Sequence, residues 1–245
     1  MSDPQGRPVA YGWIEEPDHW VQVPEVATFH FRPGSGQISA MLPPDVLRET
    51  VTDAYRTIVL PLALQVSGFE ALHASGNCFE AGVVAFCALS GTGKTTTAYG
   101  LGRRGRTAWA DDVVLLEPRA EGPVLTHPLP FSSNVRDETL NFFEGDSSQT
   151  PRGEGEGKPM ELGAVMLLER AGPGAPAVEI RKLSPTDALA LLEPHSYRFN
   201  LGDLELKRRT LQNYLSLVGQ VPVFRVRFVP DLGKLDLLLD QIEAA

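Results

Sequence analysis

The most constraining feature of the chain is a short run of glycine, threonine and lysine that follows an apolar segment. Residues 83–89 read Val-Val-Ala-Phe-Cys-Ala-Leu, which has the length and composition of one buried strand. Residues 90–96 then read Ser-Gly-Thr-Gly-Lys-Thr-Thr, and residues 97–102 can open a helix. This order of strand, glycine-rich turn and helix predicts a loop whose backbone amides curl around a phosphate group.

The run fits the phosphate-binding pattern Gly-x-x-x-x-Gly-Lys-Ser/Thr (Walker A) except at its first position, where Ala88 stands. In this pattern the lysine reaches the β- and γ-phosphates and the following hydroxyl ligates Mg²⁺. ATP and Mg²⁺ are therefore the predicted cofactors, and a plain Gly/Thr turn with a solvated lysine is the structural alternative. The candidate nucleotide-binding residues are Ser90, Gly91, Thr92, Gly93, Lys94, Thr95 and Thr96, with Thr95 also a metal ligand.

Two adjacent carboxylates, Asp111 and Asp112, have apolar residues on both sides. Charges are seldom set inside a buried strand without a function. A carboxylate that ends a second strand completes the Mg²⁺ site of P-loop proteins, and its neighbour can accept a proton from an attacking hydroxyl. A turn or helix cap at a strand edge is the structural alternative.

Composition and charge exclude several classes of partner. A net charge of −9 and a pI near 5.1 disfavour a nucleic-acid binder that relies on a broad basic surface. The polar residues 1–5 predict no signal peptide, and the most apolar stretch, 58–64, is too short to span a bilayer. We therefore expect a cytoplasmic protein without a membrane or nucleic-acid partner.

The two cysteines, Cys78 and Cys87, show no metal-ligand spacing. They could face each other across a hairpin that turns near residues 80–82, so a disulfide is geometrically open. Two reduced, buried thiols are favoured for a chain that needs ATP.

The order of elements predicts an α/β fold. Residues 1–67 are expected to form a small β-rich region packed on the core, and 68–245 the main domain, with a flexible loop at 144–159 because that segment is almost purely polar. Residues 162–168 suit a central strand, and a helix follows at 185–192. A longer helix is predicted from about Asp203 to Val218, with Leu204, Leu211, Leu215 and Val218 on one face.

Three segments in a fixed order resemble the catalytic domain of HPr kinase/phosphorylase. They are a histidine element at 72–76, the loop at 89–95, and an Arg-Gly segment at 104–112 that ends in Asp-Asp, and together they cover roughly residues 68–116. The resemblance implies a P-loop kinase of the HPr kinase and phosphoenolpyruvate carboxykinase-like fold, a mixed β-sheet with flanking helices. It also implies transfer of the ATP γ-phosphate to a serine hydroxyl.

By motif position the resemblance gives each candidate a role. Asp111 corresponds to the general base, Lys94 to the phosphate-holding lysine and His73 to the active-site histidine. Thr95 corresponds to the Mg²⁺ ligand, and Asp112 supports the metal. Compact relatives of this family include kinases that modify ribosomally made peptides such as lasso peptides, which makes a peptide or protein acceptor a candidate beside a small hydroxylated metabolite.

The chain departs from the family in one segment that matters for the acceptor. The family's Glu-Ile-Arg-Gly segment is not found after the Asp-Asp pair, where residues 126–136 stand instead, so the part that would recognise HPr itself is unmatched. Arg136 lies at the end of that segment and is predicted to be a surface arginine, with neutralisation of phosphate charge as the alternative. A regulatory ATP-binding module without phosphotransfer is the rival function, phosphoenolpyruvate carboxykinase-like chemistry is a distant third, and a homo-oligomer stays open.

Overall fold

The computed structural model describes residues 9–119, 121–144, 150–172, 174–197 and 203–245. Within these ranges no helix is both long enough and apolar enough to cross a membrane. The strands are β1 (Tyr11–Glu15), β2 (Asp18–Val23), β3 (Ala27–Phe31), β4 (Ile38–Met41), β5 (Glu70–Leu72), β6 (Ala74–Phe79), β7 (Gly82–Cys87), β8 (Ala108–Ala110), β9 (Val114–Glu117), β10 (Leu125–His127), β11 (Pro130–Ser132), β12 (Arg152–Glu154), β13 (Met160–Arg170), β14 (Val178–Lys182) and β15 (Val223–Phe228). The helices are α1 (Arg48–Ala54), α2 (Leu60–Val66), α3 (Lys94–Arg103), α4 (Asp137–Phe142), α5 (Pro185–Leu192), α6 (Leu204–Gln220) and α7 (Leu235–Ala244), and a π-helical segment, Tyr55–Val59, joins α1 to α2.

The described residues form two compact units. Those up to Ala71, together with Tyr197 and residues 203–211, make the first unit, and those of Leu72–Ser196 and Gln212–Ala245 make the second. The sequence predicts a division near residue 67 and does not foresee that 203–211 joins the first unit. Leu206 packs against the core of that unit, and Arg209 Nη2 donates to the carbonyl of Gln65 at 2.6 Å.

The first unit is a four-stranded antiparallel sheet covered by a helix. Its strands run in the order β1-β2-β3-β4, so each strand pairs with its neighbour in sequence. Val21, Phe29 and Phe31 point from one face of the sheet and pack against Val59 and Leu62 of the helical segment. Strand residues at alternate positions therefore supply the core of this unit.

The second unit is built on a mixed sheet. Parallel pairs β7–β13 and β13–β15 form its centre, β6 pairs antiparallel with β7, and β8 pairs antiparallel with β6. On the other side, β14 pairs antiparallel with β15, and β10 and β9 extend the sheet from the first half of β13. The predicted α/β class, a mixed sheet flanked by helices, is confirmed.

Helices cover both faces of this sheet, and the alternation of side chains along the strands decides which residues meet them. In β7, Val84 and Phe86 face a core formed with α3 and α7. Ala85 and Cys87 face the opposite core, formed with α5 and the second half of α6. Both faces are apolar, as buried parallel strands require.

One edge of the sheet collects the chain segments that carry the chemistry. Strands β7, β13 and β15 run parallel, and β8 shares their direction because it lies antiparallel to β6, which lies antiparallel to β7. All four therefore end at the same edge, where β6 begins. The loop after β7 and the acidic pair after β8 are thus brought together by strand direction.

The two cysteines do not form a disulfide. Cys78 lies opposite Val83, and Cys87 lies opposite Ala74, so the thiols are offset along the β6–β7 hairpin. Both are free, which agrees with the favoured reduced state, and burial raises the pKa of the Cys87 thiol to about 12.

The segment predicted as a flexible loop, 144–159, is partly regular structure. Arg152–Glu154 form β12, which pairs antiparallel with β11. Residues 145–149 lie outside the described residues. Backbone pairing with β11 gives the polar chain at 152–154 a set of hydrogen bonds that its composition does not reveal.

A prediction concerns Gly82, at the start of β7. Its φ of 117° is in the left-handed region, and a Cβ there would lie 2.4 Å from the carbonyl oxygen of Glu161. We expect Gly82→Ala to destabilise the protein by about 2–3 kcal/mol, because both the backbone conformation and the close approach of β13 exclude a side chain. Urea unfolding measures this loss.

Gly102 supplies the matched control, since it lies inside α3 and a Cβ added to it would have no other atom within 4 Å. Gly102→Ala should leave stability unchanged or raise it by up to about 1 kcal/mol. Equal stability of the two variants would contradict the close packing of β7 on β13.

Candidate active site

The loop between β7 and α3 has the conformation of a phosphate cradle. Gly91 and Gly93 have φ angles of 79° and 127°, which side-chain-bearing residues rarely adopt. The N–H of Thr92 donates to the carbonyl of Leu89 at 3.0 Å, which closes a turn. Helix α3 begins at Lys94 without a side-chain cap, so the amides of its first turn remain available to an anion.

Lys94 is a buried cation held by three oxygen atoms. Its Nζ donates to Asp112 Oδ1 at 2.8 Å, Ser75 Oγ at 3.1 Å and Asp111 Oδ1 at 3.3 Å. The whole residue is only 8% exposed. A buried ammonium group needs such partners because loss of its hydration is costly.

The two carboxylates have different surroundings. Asp111 is buried, and its Oδ1 accepts from the Ser75 hydroxyl, from Thr95 Oγ1 at 3.4 Å and from the N–H of Asp112 at 3.2 Å. The side chain of Asp112 is 47% exposed, and its backbone has a φ of 64°. The pair is therefore split into one anchored carboxylate and one at the mouth of the cleft.

Charge and burial compete at this cluster. Burial alone lowers the pKa of Lys94, but the attraction of Asp111 and Asp112 outweighs it, so the pKa lies above its usual value. Burial alone raises the pKa of Asp112, but Lys94 outweighs it and the pKa lies below its usual value. Both groups are charged at neutral pH, and each depends on the other.

Histidine side chains lie beside the cluster. Burial and the charge of Lys94 lower the pKa of His73, which lies immediately before β6. The N–H of His73 donates to the carbonyl of His195 at 2.7 Å, and burial also lowers the pKa of His195. His73 is therefore a neutral imidazole at neutral pH, able to donate one hydrogen bond and to accept another.

The phosphate loop, the acidic pair and His73 line one cleft of about 360 Å³. They form most of its polar lining. The segment after β15 and its neighbours supply an apolar lining. Its apolar side chains are Val178, Phe228, Val229, Pro230, Leu232, Leu235 and Leu238.

All the residues predicted from the sequence line this cleft. They are His73, residues 90–96, Asp111 and Asp112. Their roles in catalysis and binding stay predictions. What the structure adds to the predicted residues is their proximity.

Three residues near the loop were not foreseen. Ser75 lies in β6, two positions after His73, which immediately precedes that strand, so alternation along an extended chain could have placed both on one face. Arg170 ends β13 and donates to the carbonyls of Gly91 and Thr92, the latter at 3.5 Å. Its position at the carboxyl end of a predicted central strand was the available signal. His195 had none, because only the fold brings it to His73.

The oxygen atoms of this cluster fit a magnesium ion. Mg²⁺ is usually held by one or two carboxylates and completes its coordination with water and substrate phosphates. Asp111, Asp112 and the Thr95 hydroxyl supply such donors. Within the described ranges no group of three or more His, Cys, Asp or Glu residues could hold a metal alone, so phosphate oxygens would have to complete the site.

Removal of Lys94 should destabilise the ligand-free protein in a pH-dependent way. In Lys94→Met the two carboxylates lose their cation, and we expect a loss of about 3 kcal/mol near neutral pH. Burial then raises the pKa of Asp112 in the folded state, so this penalty grows as pH rises and shrinks as pH falls towards about 4. Urea unfolding of both proteins over that pH range measures the gap.

Lys234→Met is the control, because Lys234 lines the cleft but is exposed. It should unfold like the wild type at every pH. A Lys94→Met variant whose deficit does not change with pH would contradict the coupling of Lys94 to the acidic pair.

The chain has a distant likeness to a solved kinase structure. It is 13% identical to the HPr(Ser) kinase/phosphatase from Coxiella burnetii, the comparison covers 71% of this chain and 86% of that chain, and the TM-score is 0.37. No family model matches the sequence, and no curated protein matches it. The proposal below rests on the geometry of the cleft and not on this likeness.

Proposed function

We propose that the protein is an ATP- and Mg²⁺-dependent kinase that transfers the γ-phosphate to a serine-type hydroxyl of a peptide or protein. The observation that carries this proposal is the meeting of Lys94, Asp111 and Asp112 at the mouth of the phosphate loop. Phosphoryl transfer needs positioning, neutralisation of charge and a base for the hydroxyl proton, and these residues can supply each of them.

The cleft accommodates the two ends of a nucleotide differently. The amides of the loop and of the first turn of α3 suit the phosphates, and Lys94 lies among them. The apolar side chains of the lining, among them Phe228 and Leu235, suit the flat face of a base. The terminal phosphate is then directed towards the acidic pair.

Asp111 is proposed as the general base. Donors surround its Oδ1, whereas none of the hydrogen bonds made by the described residues uses Oδ2. Oδ2 can therefore accept the proton of an acceptor hydroxyl while Oδ1 fixes the carboxylate. His73, neutral and beside Asp112, is proposed to orient groups in the cleft.

Asp112 and Thr95 are proposed to support the metal. Asp112 is half-exposed at the mouth, and Thr95 Oγ1 lies next to the acidic pair. A bound Mg²⁺ would neutralise charge on the phosphates. Since Lys94 bonds to Asp112 in the ligand-free protein, nucleotide binding requires Lys94 to exchange this partner for phosphate oxygens.

The roles of the two acids can be separated by isosteric variants. We expect Asp111→Asn to reduce phosphotransfer by about 100-fold or more, because the proton acceptor is lost, while ATP still binds. Asp112→Asn should raise the Mg²⁺ concentration needed for half-maximal activity. Initial rates over a series of Mg²⁺ concentrations, with ATP binding measured by calorimetry, give both quantities.

Normal turnover by Asp111→Asn together with an inactive Asp112→Asn would contradict the assignment and indicate that Asp112, not Asp111, is the general base. Full activity of both variants would remove the acidic pair from catalysis.

Transfer of label tests the proposed activity directly. The protein is incubated with γ-labelled ATP, Mg²⁺ and a peptide and protein fraction from its own source, beside Asp111→Asn. We expect the wild-type protein to transfer label to a serine of a peptide or protein, and Asp111→Asn to transfer none. Analysis of the labelled amino acid and the mass of its carrier identify the acceptor class.

Label on a small metabolite would support a metabolite kinase. ATP binding with no transfer to any fraction would support the rival function, a regulatory module that uses ATP only to change conformation.

A further inference from the structure

The position of Arg136 beside the phosphate loop does not follow from the sequence around it. It lies immediately before α4 and lines the same cleft as the phosphate loop. Its Nη2 is 3.7 Å from the point that a Cβ on Gly91 would occupy, so the guanidinium group lies over the loop. Arg136 is exposed, as the sequence predicts, and its position over the loop favours the alternative, neutralisation of phosphate charge.

The main chain around Arg136 is tied to the helix that follows the loop. Thr139 Oγ1 and Thr96 Oγ1 are hydrogen-bonded at 3.0 Å, which links α4 to α3. Val135 and Leu140 pack with Tyr99 of α3 in a small buried cluster. The residue is thus anchored on both sides, while its long side chain is exposed at the cleft.

The guanidinium group of Arg136 is available to a ligand. Within the described residues it makes no hydrogen bond or ion pair of its own, although it carries five donors in a planar fork. Arg170 differs, since two of its nitrogen atoms, Nε and Nη2, already donate to the carbonyls of Thr92 and Gly91. The C=O and N–H of a trans peptide group point in opposite directions. Arg170 therefore binds the carbonyl side of these two peptide groups, and their N–H groups point the other way.

The charge of Lys94 is already balanced by side chains of the protein. Its ammonium group bonds to both carboxylates of the acidic pair. A triphosphate carries more negative charge than a diphosphate, and the extra charge lies at its end. An unpaired guanidinium group beside the loop can bind that end through two parallel hydrogen bonds, a geometry that lysine cannot reproduce.

We propose that Arg136 binds the terminal phosphate of a nucleoside triphosphate and so enables the cleft to distinguish a triphosphate from a diphosphate. This inference rests on the nucleotide binding of the proposed function and adds a residue for it. It does not depend on the identity of the acceptor.

Calorimetric titration of the full chain with two nucleotides tests the inference. The probes are ADP and the non-hydrolysable β,γ-imido analogue of ATP, each with Mg²⁺. For Arg136→Gln we expect the affinity for the triphosphate analogue to fall by about 10-fold or more, because a charge-assisted contact is lost. The affinity for ADP should change by less than about 2-fold, within the effect of a distant surface change.

Two further arginine variants serve as comparisons. Arg170→Gln should weaken both nucleotides alike, because it disturbs the loop itself. Arg208→Gln, which changes an exposed residue of α6 that does not line the cleft, should change neither affinity. Arg136→Lys should recover part of the preference for the triphosphate, since it keeps the charge without the planar fork.

An equal loss of affinity for both nucleotides in Arg136→Gln would overturn the inference, because Arg136 would then contribute to nucleotide binding without distinguishing the two. Unchanged affinity of Arg136→Gln for both nucleotides would also overturn the inference and show that Arg136 is a surface residue with no part in nucleotide binding. Equal thermal unfolding midpoints of variant and wild type exclude misfolding as the cause. A wild type that binds neither nucleotide would contradict the proposed function itself, a result distinct from the other two.

Discussion

The buried ammonium group of Lys94 is the constraint on which the rest of the site depends. It lies at the start of α3 and is balanced by Asp111 and Asp112, with Ser75 as a third partner. These partners come from β6 and from the segment after β8, which are far from the loop in sequence. Strand direction alone brings them together, because four strands end and one begins at the same edge of the sheet.

The same cluster limits how the cleft can receive an anion. Among the described residues that line it, four cations, Lys94, Arg136, Arg170 and Lys234, stand against four anions, Asp111, Asp112, Glu138 and Asp231. The lining therefore carries no net charge to attract a polyphosphate, and the whole chain has a net charge of −9. Affinity for a nucleotide would have to come from local backbone amides and from a metal that offsets the phosphates, which gives a physical reason for Mg²⁺ dependence.

The features that the sequence predicts well are local ones. The loop from β7 to α3 is contiguous, and its glycines need the positive φ angles that Gly91 and Gly93 adopt. The periodicity of residues 203–218 predicts a helix, and α6 is there. The predicted face is correct only for Val218, which is buried, and wrong for Leu204, Leu211 and Leu215, which are exposed. Tyr214 and Leu217 are buried instead. A helical period shows that a face exists, but the partner elements decide which side is covered.

The features that the sequence does not predict depend on contacts between distant segments. Ser75 and His195 gain their place beside Lys94 and His73 only through the pairing of strands and the path of the chain. The polar residues 152–154 have no apolar pattern, yet they pair with β11 through their backbone. The sequence indicates only a surface position for Arg136, because the residues next to it do not show that a hydrogen bond links α4 to α3.

The two arginines at the loop show how one cradle can combine rigidity with selectivity. Arg170 donates hydrogen bonds to the carbonyls of Gly91 and Thr92, so it stabilises the conformation of the loop whether or not a ligand is present. Arg136 lies over the same Gly91 with its donors unused, so any energy it provides appears only when an anion arrives. An interaction that already exists in the free protein cannot discriminate between ligands, whereas one that forms only with the ligand can. Selectivity for the terminal phosphate therefore belongs with the unpaired arginine.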